Sequence, residues 1–324
     1  MSLMAIIYNY NMTVINTVTL EDISEAARLS HLLTFTGNYS ALMGGEFNDT
    51  FVLDCGTTSA VLRVARYKEV ANLHREAKAL ALLNLAQVPR LIHYNDDHRI
   101  HGRPWIMEGY LEGKHTARLS LDQYTNLGKL LAEIHKIHTP GIVEIDYWAA
   151  FMEDYQTFGN EQFLLSHPDI RLRSLINLGR TYFQSHSTQT LALSLTHGDI
   201  SLGNILVSRE AVLLIDWEYA RFRDPMADFS AIYYEDMEYN NGNWRTHIKP
   251  DEKTALFAGY TTGGGTINNE KIKIWINYDK LGNCLYLYWK IHQSGHNNEA
   301  QQLAQYNRDL DSLYASLKTN LRHP

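Results

Sequence analysis

Residues His197–Leu206, HGDISLGNIL, and Leu214–Ala220, LIDWEYA, decide how this chain reads. They hold His197, Asp199, Asn204, Asp216 and Glu218 in fixed order around an apolar run, Ala211–Ile215, that predicts a strand. Carboxylates and an amide placed this way suit phosphoryl transfer. There the protein contributes placement and charge rather than covalent chemistry. An acidic side chain must orient the attacking hydroxyl, and oxygen donors must hold magnesium, which prefers carboxylate and carbonyl oxygens. Asp199 fits the first role, Asn204 and Asp216 the second. His197 fits as a structural residue that fixes the loop through hydrogen bonds. One isolated aspartate would be read as a loop cap; the ordered pair of segments argues against that.

Working outward, the chain divides by character. Before this region, Leu20–Leu33 has helical apolar spacing and an acidic start. Thr50–Leu53 and Ala60–Ala65 predict two strands joined by the turn-rich stretch Asp54–Ser59, an antiparallel hairpin. Ala71–Leu85 predicts a helix, and Leu91–Tyr94 and Trp105–Glu108 further short strands. Ser120–His138 then carries Leu127, Leu130, Leu131, Ile134 and Ile137 on one helical face, with Ser120 and Gln123 as a capping box. Helices are expected over Phe151–His167, Ile170–Ser185, Ile272–Asn277 and Leu285–His292, and a flexible loop at Gly259–Thr266. The expected fold class is α+β in two lobes. Residues 1–108 form a small antiparallel-sheet lobe, and 109–324 a larger, mainly helical lobe with a cleft between them, a favoured ligand position.

Composition narrows the class of partner. The 324 residues are 45% hydrophobic and 20% charged, which sets aside wholesale disorder. Lys and Arg number 29 against 36 Asp and Glu, a net charge of -7, so a basic coat for nucleic acid is excluded. Cys55 and Cys284 are too few and too far apart for a disulfide framework or a thiolate metal cluster. The start, Met1–Tyr10, lacks a basic leader, and no apolar run reaches membrane-spanning length. A cytoplasmic, soluble protein without membrane or nucleic-acid partners is expected, and a homodimer is compatible with it. There are 20 Tyr and 6 Trp against 10 Phe, an excess that favours pocket or interface use because a buried tyrosine must satisfy its hydroxyl.

The two deciding segments resemble the H-x-D-x-x-x-x-N and D-[FW]-E motifs of the aminoglycoside phosphotransferase and choline kinase superfamily, relatives of the protein kinases. The resemblance runs from about Leu20 to His292. It implies a protein kinase-like fold, ATP and Mg2+ as cofactors, and catalysis at Asp199. By this resemblance Gly44, Gly45 and Asn48 in GGEFN match the short loop over the nucleotide phosphates. Arg63 stands where the strand lysine holds the phosphates, and Glu76 where the helix glutamate pairs with it. Trp105–Tyr110, including Glu108 and Tyr110, resembles the interlobe connector whose backbone receives adenine.

Within the superfamily, Ile215–Ala220 (IDWEYA) matches the pattern common among choline and ethanolamine kinases, and Arg223, Asp224, Pro225 and Asp228 resemble the run that follows it. Tyr233–Asp236 stands where that branch has F-x-E-[WY], and Tyr286–Trp289 resembles its later aromatic helix. A quaternary ammonium has no donor hydrogens and is held by aromatic faces and nearby carboxylates. Glu218, Tyr219, Tyr234, Glu235 and Trp289 are therefore the acceptor candidates for a small cationic alcohol. Thiamine kinase and aminoglycoside phosphotransferase are the alternatives, since they share the core motifs. A non-catalytic binding protein of the same fold would have lost Asp199 or Asp216, and both are present. A metallohydrolase reading of the 15 histidines fails for want of ligand spacing. That reading leaves His135 and His138 as helix-surface residues or a partly buried pair.

Overall fold

The predicted hairpin forms the centre of a five-stranded antiparallel sheet. A computed structural model describes residues 17–42, 48–66, 72–187, 190–209, 211–230, 248–293 and 299–322. In it β1 (Tyr39–Leu42), β2 (Asn48–Asp54), β3 (Ser59–Ala65), β4 (Leu91–Ile100) and β5 (Arg103–Gly109) lie in the order β1-β2-β3-β5-β4. Gly56, at φ 79°, lets the β2–β3 turn close, and its N–H donates to the Asp54 carboxylate at 2.9 Å. The register runs from Asn48 opposite Ala65 to Asp54 opposite Ser59, and it places Arg63 opposite Thr50 and Ile106. Helix α1 (Leu20–Leu29), capped reciprocally by Thr19 and Asp22, buries Ile23, Ala26 and Ala27 with Leu53, Leu62 and Trp105 in the sheet's own core. Helix α2 (Asn72–Leu82) instead buries Leu73, Ala77 and Leu80 in the larger core that continues into the second lobe.

That second lobe is built from α3 (Leu121–Ile134), α4 (Tyr147–Asp154), α5 (Glu161–Leu165), α6 (Ile170–His186), α7 (Pro250–Thr262), α8 (Asn269–Gln293) and α9 (Glu299–Arg322). Short ladders lie among them: β6 (Val143–Glu144) with β7 (Thr190–Leu191), β8 (Ser194–Thr196) with β11 (Arg221–Arg223), and β9 (Ile205–Ser208) with β10 (Ala211–Leu214). The Ser120–Gln123 capping box starts α3 as predicted, although the helix ends at Ile134. The predicted strand Ala211–Ile215 is β10, one residue shorter.

Three helical expectations need correction. Phe151–His167 is not one helix: α4 and α5 are separated by a turn at Gly159, whose φ of 143° and contact with the Phe163 ring exclude a side chain. Ile272–Asn277 and Leu285–His292 are parts of the single helix α8. Its polar middle is absorbed by neighbours, Asn283 donating to Asp309 of α9 and Tyr155 packing where Gly282 leaves room. The Gly259–Thr266 segment begins as helix, not loop, since Gly259 to Thr262 belong to α7. Helix α9 was not foreseen, although Tyr306, Leu310, Leu313 and Leu317 form a buried stripe at helical spacing.

Helices α3 and α7 cross at glycines on both sides. A Cβ on Gly128 would lie 2.1 Å from the Leu256 carbonyl, and one on Gly259 2.0 Å from that of Thr125. Because both obstacles are backbone, the helices themselves would have to separate. Gly259→Ala is expected to destabilise the fold by about 1–3 kcal/mol, the usual range for an overpacked core. The exposed Thr261→Ala on the same helix should change little. Urea denaturation of both variants checks this; equal midpoints would contradict the close crossing.

Candidate active site

The loop between β8 and β9 is held by buried polar bonds. His197 is fully buried and packs at a tilt against Trp217, ring centroids 4.6 Å apart. Its Nδ1 accepts from the Asp199 N–H at 3.3 Å, so Nε2 carries the proton and donates to the Ile215 carbonyl at 3.0 Å. These bonds tie the first motif segment to the second through the Ile215 carbonyl. Gly198 has φ 83°, and a Cβ there would meet the Tyr219 carbonyl at 2.4 Å. Only glycine fits this bend. The Asn204 side-chain amide donates to the Asp199 carboxylate at 2.8 Å and to its carbonyl at 3.0 Å.

A fully buried carboxylate, Asp228, anchors this loop from below. It accepts the His197 N–H at 2.9 Å, the Gly198 N–H at 2.8 Å and His135 Nε2 at 3.0 Å. His135 Nδ1 in turn meets the Tyr260 hydroxyl at 2.9 Å. Burial alone would raise the Asp228 carboxyl, but His135 and the loop amide bonds outweigh it and hold it below the usual carboxylate range. His135 is thus neither a surface residue nor paired with His138, which bonds Ser194 instead. It follows Ile134 at the edge of the apolar stripe of α3, and that position was the available signal. Asp228 was visible in the DPMAD run, but its partner was not.

Above the loop sits one guanidinium among four carboxylates. Arg63 donates to Glu76 at 2.5 Å and to Asp216 at 2.7 Å, with Glu218 3.9 Å away. Glu76 also accepts the Trp217 N–H at 3.0 Å, and Asn48 donates to Glu218 at 3.5 Å. Burial works against the Arg63 charge, and Glu76 and Asp216 more than restore it. Burial, with Asp216 beside it, pushes Glu218 up to about 8; burial, with Glu76 beside it, does the same to Glu108. Asp216 adopts a left-handed conformation, φ 66°, which turns its carboxylate towards Arg63.

The structure therefore gathers Asn48, Arg63, Glu76, Glu108, Asp216 and Glu218 in one centre and joins Asp199 to Asn204. Because the Asn204 amino group faces Asp199, its amide oxygen points away. With the Asp216 carboxylate it offers two hard oxygen donors of the kind magnesium takes, the remainder being left to water and phosphate. Among the described residues no group of three or more His, Cys, Asp or Glu forms a metal site. The backbone of Trp105–Gly109 is committed to β3 and β4, and the Gly109 and Tyr110 N–H groups donate to Arg90 and Ser59. Pairing with Val207 resumes at Lys114, so the connector backbone outside these ladders is Leu111–Gly113 rather than Trp105–Tyr110. Tyr219 is half exposed beside Gly198. Trp289 lies on α8, its ring 6.3 Å from Phe158 and 6.2 Å from Tyr286. Gly44, Gly45, Tyr234 and Glu235 lie outside the described residues.

Glu108 supplies a test of this centre. Its buried Oε2 has no hydrogen-bond partner among the described residues. With a folded pKa near 8 against 4.5 in an open chain, the folded state holds the extra proton between those values. Stability from this group is therefore lost as pH rises through that window. Glu108→Gln should flatten the fall in melting temperature between pH 5 and pH 8. Parallel curves for the two proteins would contradict a protonated Glu108.

Comparison with known proteins agrees with the geometry. The model of the phosphotransferase enzyme family matches residues 39–266. Protein LicA of Haemophilus influenzae is 23% identical over 198 residues, 60% of this chain and 57% of that protein, so the match spans little more than half of its length. Among solved structures, choline kinase LicA from Streptococcus pneumoniae superposes with a TM-score of 0.64 at 17% identity, covering 92% of this chain and 100% of that one. A choline/ethanolamine kinase family protein from Mesorhizobium loti gives 0.59 at 18%, covering 94% and 96%. Macrolide 2'-phosphotransferase MphH from Brachybacterium faecium gives 0.59 at 16%, covering 89% and 98%. At such identities these structures establish a shared fold. With a family model matched over more than half its length, and with the Asp199–Asn204 and Arg63–Asp216 centres in place, the chain belongs to the phosphotransferase enzyme family, in the aminoglycoside phosphotransferase and choline kinase-like superfamily of protein kinase-like folds.

Proposed function

We propose that this ATP-dependent phosphotransferase moves the γ-phosphoryl group of ATP to the hydroxyl of choline or a closely related amino alcohol. The observation that carries the transfer is the Asp199–Asn204 contact at 2.8 Å beside the Arg63–Asp216 pair at 2.7 Å. It supports a reading in which Asp199 orients the hydroxyl and Arg63 meets the phosphate. Asp199 aligns the acceptor hydroxyl and takes its proton as the phosphoryl group leaves ADP. Arg63, kept charged by Glu76, faces the phosphate oxygens. Asn204 and Asp216 would hold magnesium, which when bound neutralises the charge that develops between the phosphates. By the sequence resemblance Gly44, Gly45 and Asn48 are assigned to the phosphates, and the connector Leu111–Gly113, which follows Glu108 and Tyr110, to the base.

The choline reading rests on chemistry suited to a cation without donor hydrogens. Half-buried Tyr155, Phe158, Tyr286 and Trp289 form a chain of rings along α8 and the α4–α5 turn, Tyr155 lying over Gly282. The sequence resemblance assigns Glu218, Tyr219, Tyr234 and Glu235 to the same acceptor. Aromatic faces with a carboxylate hold a quaternary ammonium by cation–π attraction. Two similar proteins, Protein LicA and choline kinase LicA, lend the reading support, as does the IDWEYA segment.

The test is ADP release with magnesium across choline, ethanolamine, thiamine and kanamycin. Choline is expected to give the highest kcat/KM. Turnover with none of the four would remove the acceptor assignment, and a preference for kanamycin would move the chain to the antibiotic-modifying branch. Asp199→Asn should lower kcat by roughly 100- to 10,000-fold, the usual contribution of a positioned base, with an unchanged melting temperature. An active variant would refute the role of Asp199.

A further inference from the structure

A second charged cluster lies beside β11, on residues the transfer reaction does not use. The side chains of Arg221 and Arg223 project from the same face of this strand, and both contact Asp154 at the end of α4, Arg223 at 2.8 Å. The Tyr278 hydroxyl donates to the same carboxylate at 2.7 Å. Arg223 also lies 5.1 Å over the buried ring of Trp275, so it is tied into the core on two sides. One carboxylate thus serves two guanidiniums and a phenol. Arg221 is the less well served: its buried Nε has no hydrogen-bond partner among the described residues. Its side chain nevertheless keeps 28% of its exposure, so solvent reaches it.

Arg75, on α2 of the first lobe, is close enough to Arg221 to repel it. It is half-buried, lies within electrostatic reach of Arg221, and makes no hydrogen bond or ion pair among the described residues. Burial, with Arg223 and Arg75 nearby, lowers the Arg221 guanidinium to about 9. Bringing like charges together across a lobe boundary is unfavourable without an anion. The acidic groups near Arg221 are Asp154, shared as described, and the exposed Glu153. The three arginines therefore exceed the two acids by one positive charge.

We propose that Arg75 and Arg221, steadied by Arg223 and Asp154, form a binding site for a phosphate group, as free phosphate or on a phosphorylated small molecule. Guanidinium forks suit phosphate oxygens, and a bound dianion satisfies both Arg75 and the orphaned Nε of Arg221. The site also has leverage. Arg75 precedes Glu76, which holds Arg63, while the Arg221 carbonyl accepts the Thr196 hydroxyl at 2.9 Å, one residue before His197. An anion bridging the arginines fastens α2 to β11, the strand paired with β8, which leads into the Asp199 loop. Occupancy is therefore expected to raise the rate of transfer.

Calorimetric titration of inorganic phosphate, and separately of glycerol 3-phosphate, tests this. The full chain is first saturated with magnesium and adenylyl imidodiphosphate so that the nucleotide site is filled. Saturable binding at one site is expected, weakened about tenfold or more by Arg75→Gln, since a hydrogen bond to a charged group is worth ~1.5–3 kcal/mol. Glu153→Gln, on an exposed position, should tighten it about twofold. Tighter binding of the monoester assigns the group to a phosphorylated metabolite, and equal binding to free phosphate; both support the site. Absence of saturable binding, or binding untouched by Arg75→Gln in a protein of unchanged melting temperature, would overturn it.

Discussion

The Arg63 guanidinium is the joint on which the arrangement depends. It sits on β3, in the middle of the sheet, and its planar fork reaches Glu76 of α2 on one side and Asp216 of the second lobe on the other. A lysine ammonium could not hold two such partners in one fixed plane. Burial makes the charge expensive, so the surrounding carboxylates must compensate it, and their excess leaves Glu108 and Glu218 protonated near neutrality. The sheet and the helical lobe, already joined by the core that α2 enters, thereby share one cluster of charges as well.

Below that joint, the Asp199 loop owes its shape to backbone held by side chains rather than to secondary structure. Asp228 takes two loop amides and is kept ionised by His135, which is set by the end of α3 and by Tyr260 of α7. The α3–α7 crossing at Gly128 and Gly259 brings His135 and Tyr260 together. Helix packing far from the loop is in this way part of what positions the Asp199 carboxylate. The phosphotransferase family membership fits a device of this kind, in which placement supplies most of the catalysis.

Much of this was legible in the sequence because it is local or chemically ordered. The β2–β3 hairpin, the Ser120–Gln123 cap and the HGD…N and DWE segments follow from neighbours in the chain. What escaped depends on distant partners. His135 looks like a surface histidine until Asp228, 93 residues away, is beside it. Gly259 looks like a loop former until the Thr125 carbonyl lies against it. The polar middle of α8 looks like a break until Asp309 and Tyr155 cover it. The chain of aromatic rings along α8 is less legible still. Aromatic spacing marks Tyr286 and Trp289 as neighbours on one helix, but it carries no information about Phe158 or Tyr155.

The most direct test of a single phosphoryl-transfer centre at Arg63, Asp199, Asn204 and Asp216 is nucleotide binding with and without magnesium. ATP affinity is measured by calorimetry for the natural chain and for Asp216→Asn. Magnesium should tighten ATP binding to the natural chain, and that enhancement should vanish in Asp216→Asn while magnesium-free binding persists. An enhancement of equal size in both proteins would place the metal elsewhere and contradict the centre described for this chain.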